Sequence, residues 1–497
     1  MPANSCASWN SARSPAAEGD DLNRPITRLF LLIVALFALL IAFTSRWTVF
    51  EASSLRTNPD NVRGLLAEER VNRGEILAAN GEVLAKSVPA GHGTYERRYP
   101  SGSLFAAPLG YSYIDPGSTG LELYRNRQLN GQSATGVQRL LNQLQGVSEA
   151  GDTVETTLRP SVQRAAVSAL AGREGAVVAL DPQTGAVEAM ASSPSYEPSA
   201  MSSPSGRKKL ESQADGPLFN RALEGGYAPG STFKLVTLTA ALSTGDFTPE
   251  SRVSGRDGIL VSGVPLHNDD DESFGEITLT EALAQSVNTV YAQVAERVGR
   301  RTLTQYMERF GFNSEPQLDY PAGEMSVSGL YPHGKLVPAT SESVDVGRAG
   351  IGQDGMQATP LQMAEVAATI ADGGKLMKPH LTKRVIDSEG RTVERVMPKV
   401  QSDVMSGSVA AEITTMMEAV VKEGTGTAAQ IPGVRVAGKT GTAETEEPGL
   451  PNDAWFVAFA PANDPKIAVA ATLANVPGYG ATFALPVAKQ VLEAALR

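Results

Sequence analysis

A serine hydroxyl is a weak nucleophile at neutral pH and needs a base within hydrogen-bond reach. The stretch Tyr227-Ala-Pro-Gly-Ser231-Thr-Phe-Lys234 offers both groups, followed by the apolar run Leu235-Val-Thr-Leu-Thr-Ala-Ala-Leu242. Pro229 and Gly230 break the preceding structure, and the run behind them is helix-like up to Gly245. Ser231 is therefore expected in the first turn of a buried helix, with Lys234 on the same face one turn along. A lysine serves as a base only if desolvation or a neighbouring cation lowers its pKa. The helix start adds amides and positive potential where an oxyanion would form.

Two further motifs carry suitable groups. Ser286-Val-Asn288 interrupts a helical pattern that opens at the capping box Thr278-Leu-Thr-Glu281 and resumes from Val290 to Val298. Lys439-Thr440-Gly441-Thr442 reads as strand, with Lys439 and Gly441 on one side and Thr440 and Thr442 on the other. Glycine there admits another backbone or a ligand, and a lysine with two hydroxyls suits a carboxylate.

Other matches to the same patterns are read as bystanders. Ser205-Gly-Arg-Lys208 lies in a polar Ser/Pro/Lys stretch and reads as a solvated loop; Ser8-Trp-Asn10 lies in the N-terminal tail. Gly433-Val-Arg-Val-Ala-Gly438-Lys439-Thr440 matches the phosphate-loop pattern. That motif needs a strand before it and a helix after it, whereas here its middle is strand-like and no helix follows, so no nucleotide site is expected. His267-Asn-Asp-Asp-Asp-Glu272 reads as a solvated acidic loop, and no metal is expected.

The elements that must position these groups can be read in order. Residues 1–24 form a disordered cytoplasmic tail, with Cys6 an unmodified bystander. From Leu29 to Ser45 the chain is apolar and free of charge, at the short end of what spans a bilayer, and Trp47 suits an interfacial anchor. Residues 25–46 are read as an uncleaved single-pass anchor. Flanking arginines do not orient it, but the long chain that follows favours an extracytoplasmic bulk. Residues 47–155 read as a small irregular pedestal with a hairpin at Asn80-Gly81, and 156–497 as the main domain. There Leu158–Leu170 is helical from Pro160, and Gly175–Leu180 with Ala186–Met190 is a hairpin. Leu303 to Phe310 is a short helix and Thr359-Pro starts another. Val409–Val420 is helical, Trp455–Phe459 pairs with Ile467–Thr472, and a last helix starts at Pro486. Strands at both ends with helices between imply an α/β (α+β) fold with a mostly antiparallel sheet.

Composition narrows the function classes. The 497 residues, 42% hydrophobic and 20% charged, suit two or more globular domains. A net charge of -11 without a basic stripe argues against nucleic-acid binding. One cysteine excludes an internal disulfide or thiolate cluster, and four histidines argue against a multi-histidine metal site.

The set Ser231-Thr-Phe-Lys234, Ser286-Val-Asn288 and Lys439-Thr-Gly441, in that order, resembles the penicilloyl-serine transferases. More narrowly it resembles class B, monofunctional penicillin-binding proteins of the actinobacterial A type. Further stretches agree: Arg73-Gly-Glu-Ile-Leu, Gly352-Gln, Thr359-Pro-Leu-Gln-Met-Ala364 and Ala454-Trp-Phe-Val-Ala-Phe-Ala-Pro461. Ala78-Ala79 departs from the Asp-Arg the family often places before Asn-Gly. The resemblance implies a peptidoglycan D,D-transpeptidase without cofactor, acting on D-Ala-D-Ala stem peptides and acylated by beta-lactams. It assigns Ser231 as nucleophile, Lys234 as base and Ser286 as proton relay. Asn288, Lys439, Thr440, Gly441 and Thr442 bind substrate. No glycosyltransferase-like region precedes the pedestal, so a separate membrane glycosyltransferase is the expected partner. A D,D-carboxypeptidase, a beta-lactamase-type hydrolase and a beta-lactam sensor or scaffold remain alternatives; the hydrolases need a water-activating group, which the sequence does not identify.

Overall fold

The computed structural model describes residues 20–46, 70–132, 150–443 and 452–497. The expected disordered tail, with Cys6 and Ser8-Trp-Asn10, lies outside these residues except for 20–24, which are helical and not disordered. The chain divides into two units, Met1–Glu68 and Glu69–Arg497.

In the first unit, helix α1 spans Asp20–Ser45. Its candidate membrane span, Arg24–Ser45, is 22 residues long and carries Arg24 and Arg28 at its start. At 1.5 Å per residue that is about 33 Å, enough for a bilayer core of about 30 Å. The helix is therefore longer than the charge-free run alone indicated. Its large apolar side chains from Ile26 to Phe43 are exposed.

The second unit opens with the hairpin anticipated at Asn80-Gly81. Gly81 takes φ +86°, the Ala78 amide donates to the Glu82 carbonyl at 2.8 Å, and strands β1 (Ile76–Leu77) and β2 (Val83–Gly91) pair antiparallel. Strand β3 (Thr94–Arg98) pairs with β2, and β4 (Thr153–Thr156) runs parallel to β1. Helix α2 (Pro160–Leu170) starts on its proline. Strands β5 (Gly175–Leu180) and β6 (Val187–Ser193) form the expected hairpin.

Helix α3 (Lys234–Ser243) follows, then α4 (Leu279–Ala284), capped by Thr278 with Glu281 in a complete capping box. Helix α5 (Asn288–Arg309) breaks at Gly299, φ 78° and ψ 161°, so its two halves match the two helices expected there. Helix α6 (Pro360–Ala371) has Thr359 as its side-chain cap.

Strands β7 (Thr382–Ile386) and β8 (Thr392–Arg395) were not picked out from the sequence. They return to the first sheet, where β7 pairs with β4, giving the order β8-β7-β4-β1-β2-β3.

The last elements are helix α7 (Gly407–Glu423), strands β9 (Ala437–Ala443), β10 (Asn452–Ala460) and β11 (Ile467–Val476), and helix α8 (Gly480–Ala495). The second sheet is antiparallel throughout, in the order β9-β10-β11-β5-β6. Both its faces are covered. Val177, Ala179, Val469 and Phe456 pack with α2 and α8, whereas Val178, Leu180, Ala468 and Val457 turn to the core that holds α3 and α6. Strands covered on both sides read as continuous apolar runs, as these do.

Two expectations need correction. Helix α8 begins at Gly480, and Pro486 lies inside it. The missing amide is tolerated because Ala484, Leu485, Val487, Ala488, Val491 and Leu492 are all buried, and packing outweighs a lost helical bond. Ser205 and Lys208 are exposed, but on a helix, Pro204–Glu211, and not in a loop. Ser203 caps it by accepting from the Gly206 amide, with Pro204 in its first turn.

Candidate active site

Ser231 lies in a 3-10 turn, Gly230–Phe233, that leads into α3. From Lys234 to Leu242 this helix is buried throughout, which explains a sequence apolar on every face. The approach to the turn is held by Trp455, whose indole N–H donates to the Ala228 carbonyl at 2.9 Å.

Strand β9 presses against this turn. A Cβ on Gly441 would sit 2.8 Å from both the Pro229 carbonyl oxygen and Thr232 Cγ2. A Cβ on Gly230, which has φ +49°, would sit 2.4 Å from the Thr442 carbonyl oxygen. Only glycine lets the two backbones meet at these points. Among the described residues β9 is an edge strand, paired only with β10, so its other side faces the cleft without a strand partner there.

Ser286 sits between α4 and α5 at φ 61°, a left-handed conformation that costs a non-glycine residue about 1–3 kcal/mol and that tertiary contacts must sustain. Those contacts are the two lysines. Lys439 Nζ donates to Ser286 Oγ at 2.8 Å and to the Thr440 carbonyl at 2.9 Å. Lys234 Nζ donates to the Ser286 carbonyl at 2.6 Å and to Asn288 Oδ1 at 2.7 Å, and lies 3.4 Å from Ser286 Oγ.

Both lysine side chains are 0% exposed. Burial pulls the Lys234 amine down to about 7 against the field of Asp269. Lys439 is also held well below the usual lysine range, first by burial and then by the neighbouring Lys234. Two ammonium groups in one dry site repel each other, so the pair does not carry two charges near neutrality.

A cleft of about 310 Å³ opens onto this cluster, lined by Ser231, Ser286, Asn288, Thr440, Gly441 and Thr442. The structure thus gathers all eight anticipated positions, six along the cleft and two lysines beneath it. Thr440 and Thr442 both reach the cleft, and Thr442 Oγ1 accepts from the Gly480 amide at 3.1 Å. The resting geometry differs from expectation at one point. Among the described residues no hydrogen bond joins the Ser231 hydroxyl to Lys234, whose donors go to Ser286 and Asn288. Catalytic bonds of this kind commonly tighten only on substrate.

Sequence reasoning missed other groups at the cleft. Thr425, from the turn after α7, shares a hydroxyl contact of 2.7 Å with Thr440. Tyr479 and Thr482 line the cleft from the start of α8. No local pattern marks these residues; only packing brings them in. The acidic loop is exposed as expected, yet Asp269, Asp270 and Glu272 line the cleft mouth. Of the phosphate-loop match, Gly433 to Val436 are turn and irregular chain instead of the expected strand, and Ala437, Gly438, Lys439 and Thr440 lie inside β9, which runs on to Ala443 with no helix there.

A serine at a helix start, two buried lysines meeting at a second serine, and an edge strand along the cleft define the class of active-serine acyl-transfer sites on an antiparallel sheet. Comparison with known proteins narrows the class. Residues 175–493 match the penicillin-binding protein transpeptidase domain, and residues 73–154 match the penicillin-binding protein A dimerisation domain. This chain belongs to the penicillin-binding protein transpeptidase family.

Among its relatives is the peptidoglycan D,D-transpeptidase PbpA of Mycolicibacterium smegmatis, 35% identical over 96% of this chain and 99% of that protein. The Mycobacterium tuberculosis PbpA is 34% identical with the same coverage. Penicillin-binding protein A of M. tuberculosis, solved as a ceftriaxone acyl-enzyme, superposes with TM-score 0.79 at 33% identity, covering 87% of this chain and all of that one. The corresponding imipenem acyl-enzyme gives TM-score 0.79 at 34% identity over 87% of this chain.

Proposed function

We propose that this chain is a peptidoglycan D,D-transpeptidase working through an acyl-enzyme on Ser231. The observation that carries the reading is the buried pair Lys234 and Lys439 meeting at Ser286 beneath a cleft that Ser231 lines.

Neutral Lys234 takes the Ser231 proton as Oγ attacks the carbonyl between the two terminal D-alanines. The backbone amides of Ser231 and Thr442 receive the oxyanion, at roughly 3–4 kcal/mol per donor. The C–N bond breaks, Ser286 relays a proton from the lysine pair to the departing D-alanine, and an ester remains on Ser231. An amine from a second stem peptide then attacks the ester, returns its proton through the same route and frees the serine. Thr440 and Thr442 hold the terminal carboxylate, which Lys439 favours from below. Gly441 keeps the strand close. Asn288 holds the substrate amide by exchanging its 3.2 Å bond to the His267 carbonyl. Beta-lactams acylate the same oxygen.

Helix α1 anchors the protein in the cell membrane by a single pass, with residues 47–155 as pedestal and 156–497 as transpeptidase domain on the extracytoplasmic side. The glycan strands it cross-links come from a separate membrane glycosyltransferase.

Mass spectrometry after penicillin tests this. Wild type should carry one adduct on Ser231 that persists for many minutes, and Ser231→Ala should carry none while melting normally. Labelling of the mutant would remove Ser231 as nucleophile. Rapid loss of the adduct with penicillin turnover would favour a hydrolase.

A further inference from the structure

The acidic loop is built into the site more firmly than its exposure suggests. Buried Asn268 bonds the Thr289 amide in the first turn of α5 at 3.0 Å, and donates to the Gly255 and Glu272 carbonyls at 3.1 and 2.8 Å. Its own amide donates to Asp257 Oδ1 at 2.7 Å, and His267 Nδ1 lies 2.9 Å from Asp257 Oδ2. The next residue, Asp269, is thereby fixed at the cleft, where its Oδ1 accepts from Asn288 Nδ2 at 3.1 Å. Asn288 Oδ1 in turn accepts from Lys234.

We propose that Asp269 is a positioning residue: it holds the Asn288 amide with its oxygen toward Lys234 and its NH2 toward the cleft, and it sets a negative charge facing the buried lysine pair. The inference rests on Lys234 being the base. An amide can flip end for end at little cost unless its neighbours distinguish O from NH2. Here the Asp269 carboxylate and, at 3.2 Å, the His267 carbonyl accept on one side and an amine donates on the other, so only one orientation satisfies them, with the carboxylate the stronger acceptor.

The charged and titratable groups around Lys234 are Lys439 from β9, Tyr291 from α5, whose ring centroid lies 5.8 Å from Nζ, and Asp269. Burial drives the amine toward neutrality; Asp269 opposes it and acts on Lys439 in the same direction. Asp269 therefore keeps the base titrating near neutral pH instead of lower.

The test is the pH profile of acylation by a chromogenic beta-lactam, measured on the full chain in detergent. Wild type should lose rate below about pH 7. Asp269→Asn keeps an acceptor for Asn288 but removes the charge, so its midpoint should move down by about 0.5–1 pH unit and its plateau should fall less than that of alanine. Asp269→Ala leaves the Asn288 NH2 with only its 3.2 Å bond to the His267 carbonyl, and its plateau rate should fall about 10-fold. Because Asp269 is exposed, both variants should melt as wild type does. An Asp269→Asn midpoint equal to that of wild type, or equal plateaus for the asparagine and alanine variants, would overturn the proposal. If the wild type itself is not acylated on Ser231, the underlying assignment has failed instead.

Discussion

Lys234 donates to two strong acceptors, the Ser286 carbonyl and Asn288 Oδ1. Two N–H groups are what a neutral amine has, so both bonds can persist while the lone pair is left for the Ser231 proton. Among the described residues a third donor would have only Ser286 Oγ, at 3.4 Å and already bonded to Lys439. The environment therefore fits the neutral base, in line with an amine pulled down to about 7 by burial. Above that value Lys234 is neutral, as the proposed base must be; below it the amine is protonated. Beta-lactam acylation should accordingly rise through an acidic limb centred near pH 7, measurable by stopped flow. Lys234→Arg retains charge and length but stays protonated at any accessible pH. Its acylation rate should fall by about 10²–10⁴, with no recovery up to pH 9.

Elements hold these residues at fixed separation, and the tightest junction is that of β9 with the Ser231 turn. Gly441→Ala forces a methyl against backbone and Thr232, so β9 must move away from Ser231, the proposed nucleophile. Overpacking of this kind costs about 1–3 kcal/mol, and acylation should fall at least about 10-fold, seen as a lower Tm together with weaker penicillin labelling. Helix α4 delivers the chain to Ser286, and its start depends on Thr278, which accepts from the Glu281 amide at 3.1 Å. Thr278→Ala should lower stability by about 1 kcal/mol in urea unfolding. Caps, hairpins and Pro starts were legible in the sequence because each is a contact over a few residues: Thr278 with Glu281, Asn80 with Gly81, Thr359 with Pro360. Helix α8 was misplaced at Pro486 because its true start leans on Thr442, 38 residues upstream of Gly480.

Over the whole second unit, the first sheet ties distant parts of the chain together. Strand β7 completes it beside β4, and Arg125 adds an ion pair to Glu394 at 2.9 Å and a bond to Thr382 at 3.0 Å. A fragment beginning at residue 156 would bare the β7 edge and lose these partners, so it should melt lower and aggregate sooner than the chain from residue 69. Deeper in, Glu122 is 0% exposed and bridges Arg97 at 2.6 Å and Arg73 at 2.7 Å. Burial alone would raise its carboxyl, but the two guanidiniums outweigh it and hold the carboxyl below the usual range. Its stabilising contribution is thus present at neutral pH and is lost as pH falls below the ordinary carboxylate range. Glu122→Ala strands two buried cations and should cost about 3–5 kcal/mol, read from denaturant unfolding.

By itself the sequence determined the chemical types: a serine and lysine one turn apart, a serine-asparagine pair, a lysine-threonine-glycine strand, an apolar helix near the start and a mostly antiparallel sheet. Local spacing carries that information because side chains three residues apart on a helix, or two apart on a strand, are placed by backbone geometry alone. Only the tertiary structure decided that Lys234 and Lys439 are dry, that both meet at Ser286, that Asp269 faces Asn288, and that strands near residue 385 finish a sheet begun near residue 76. Burial and convergence are sums over parts of the chain hundreds of residues apart, and no local pattern records them.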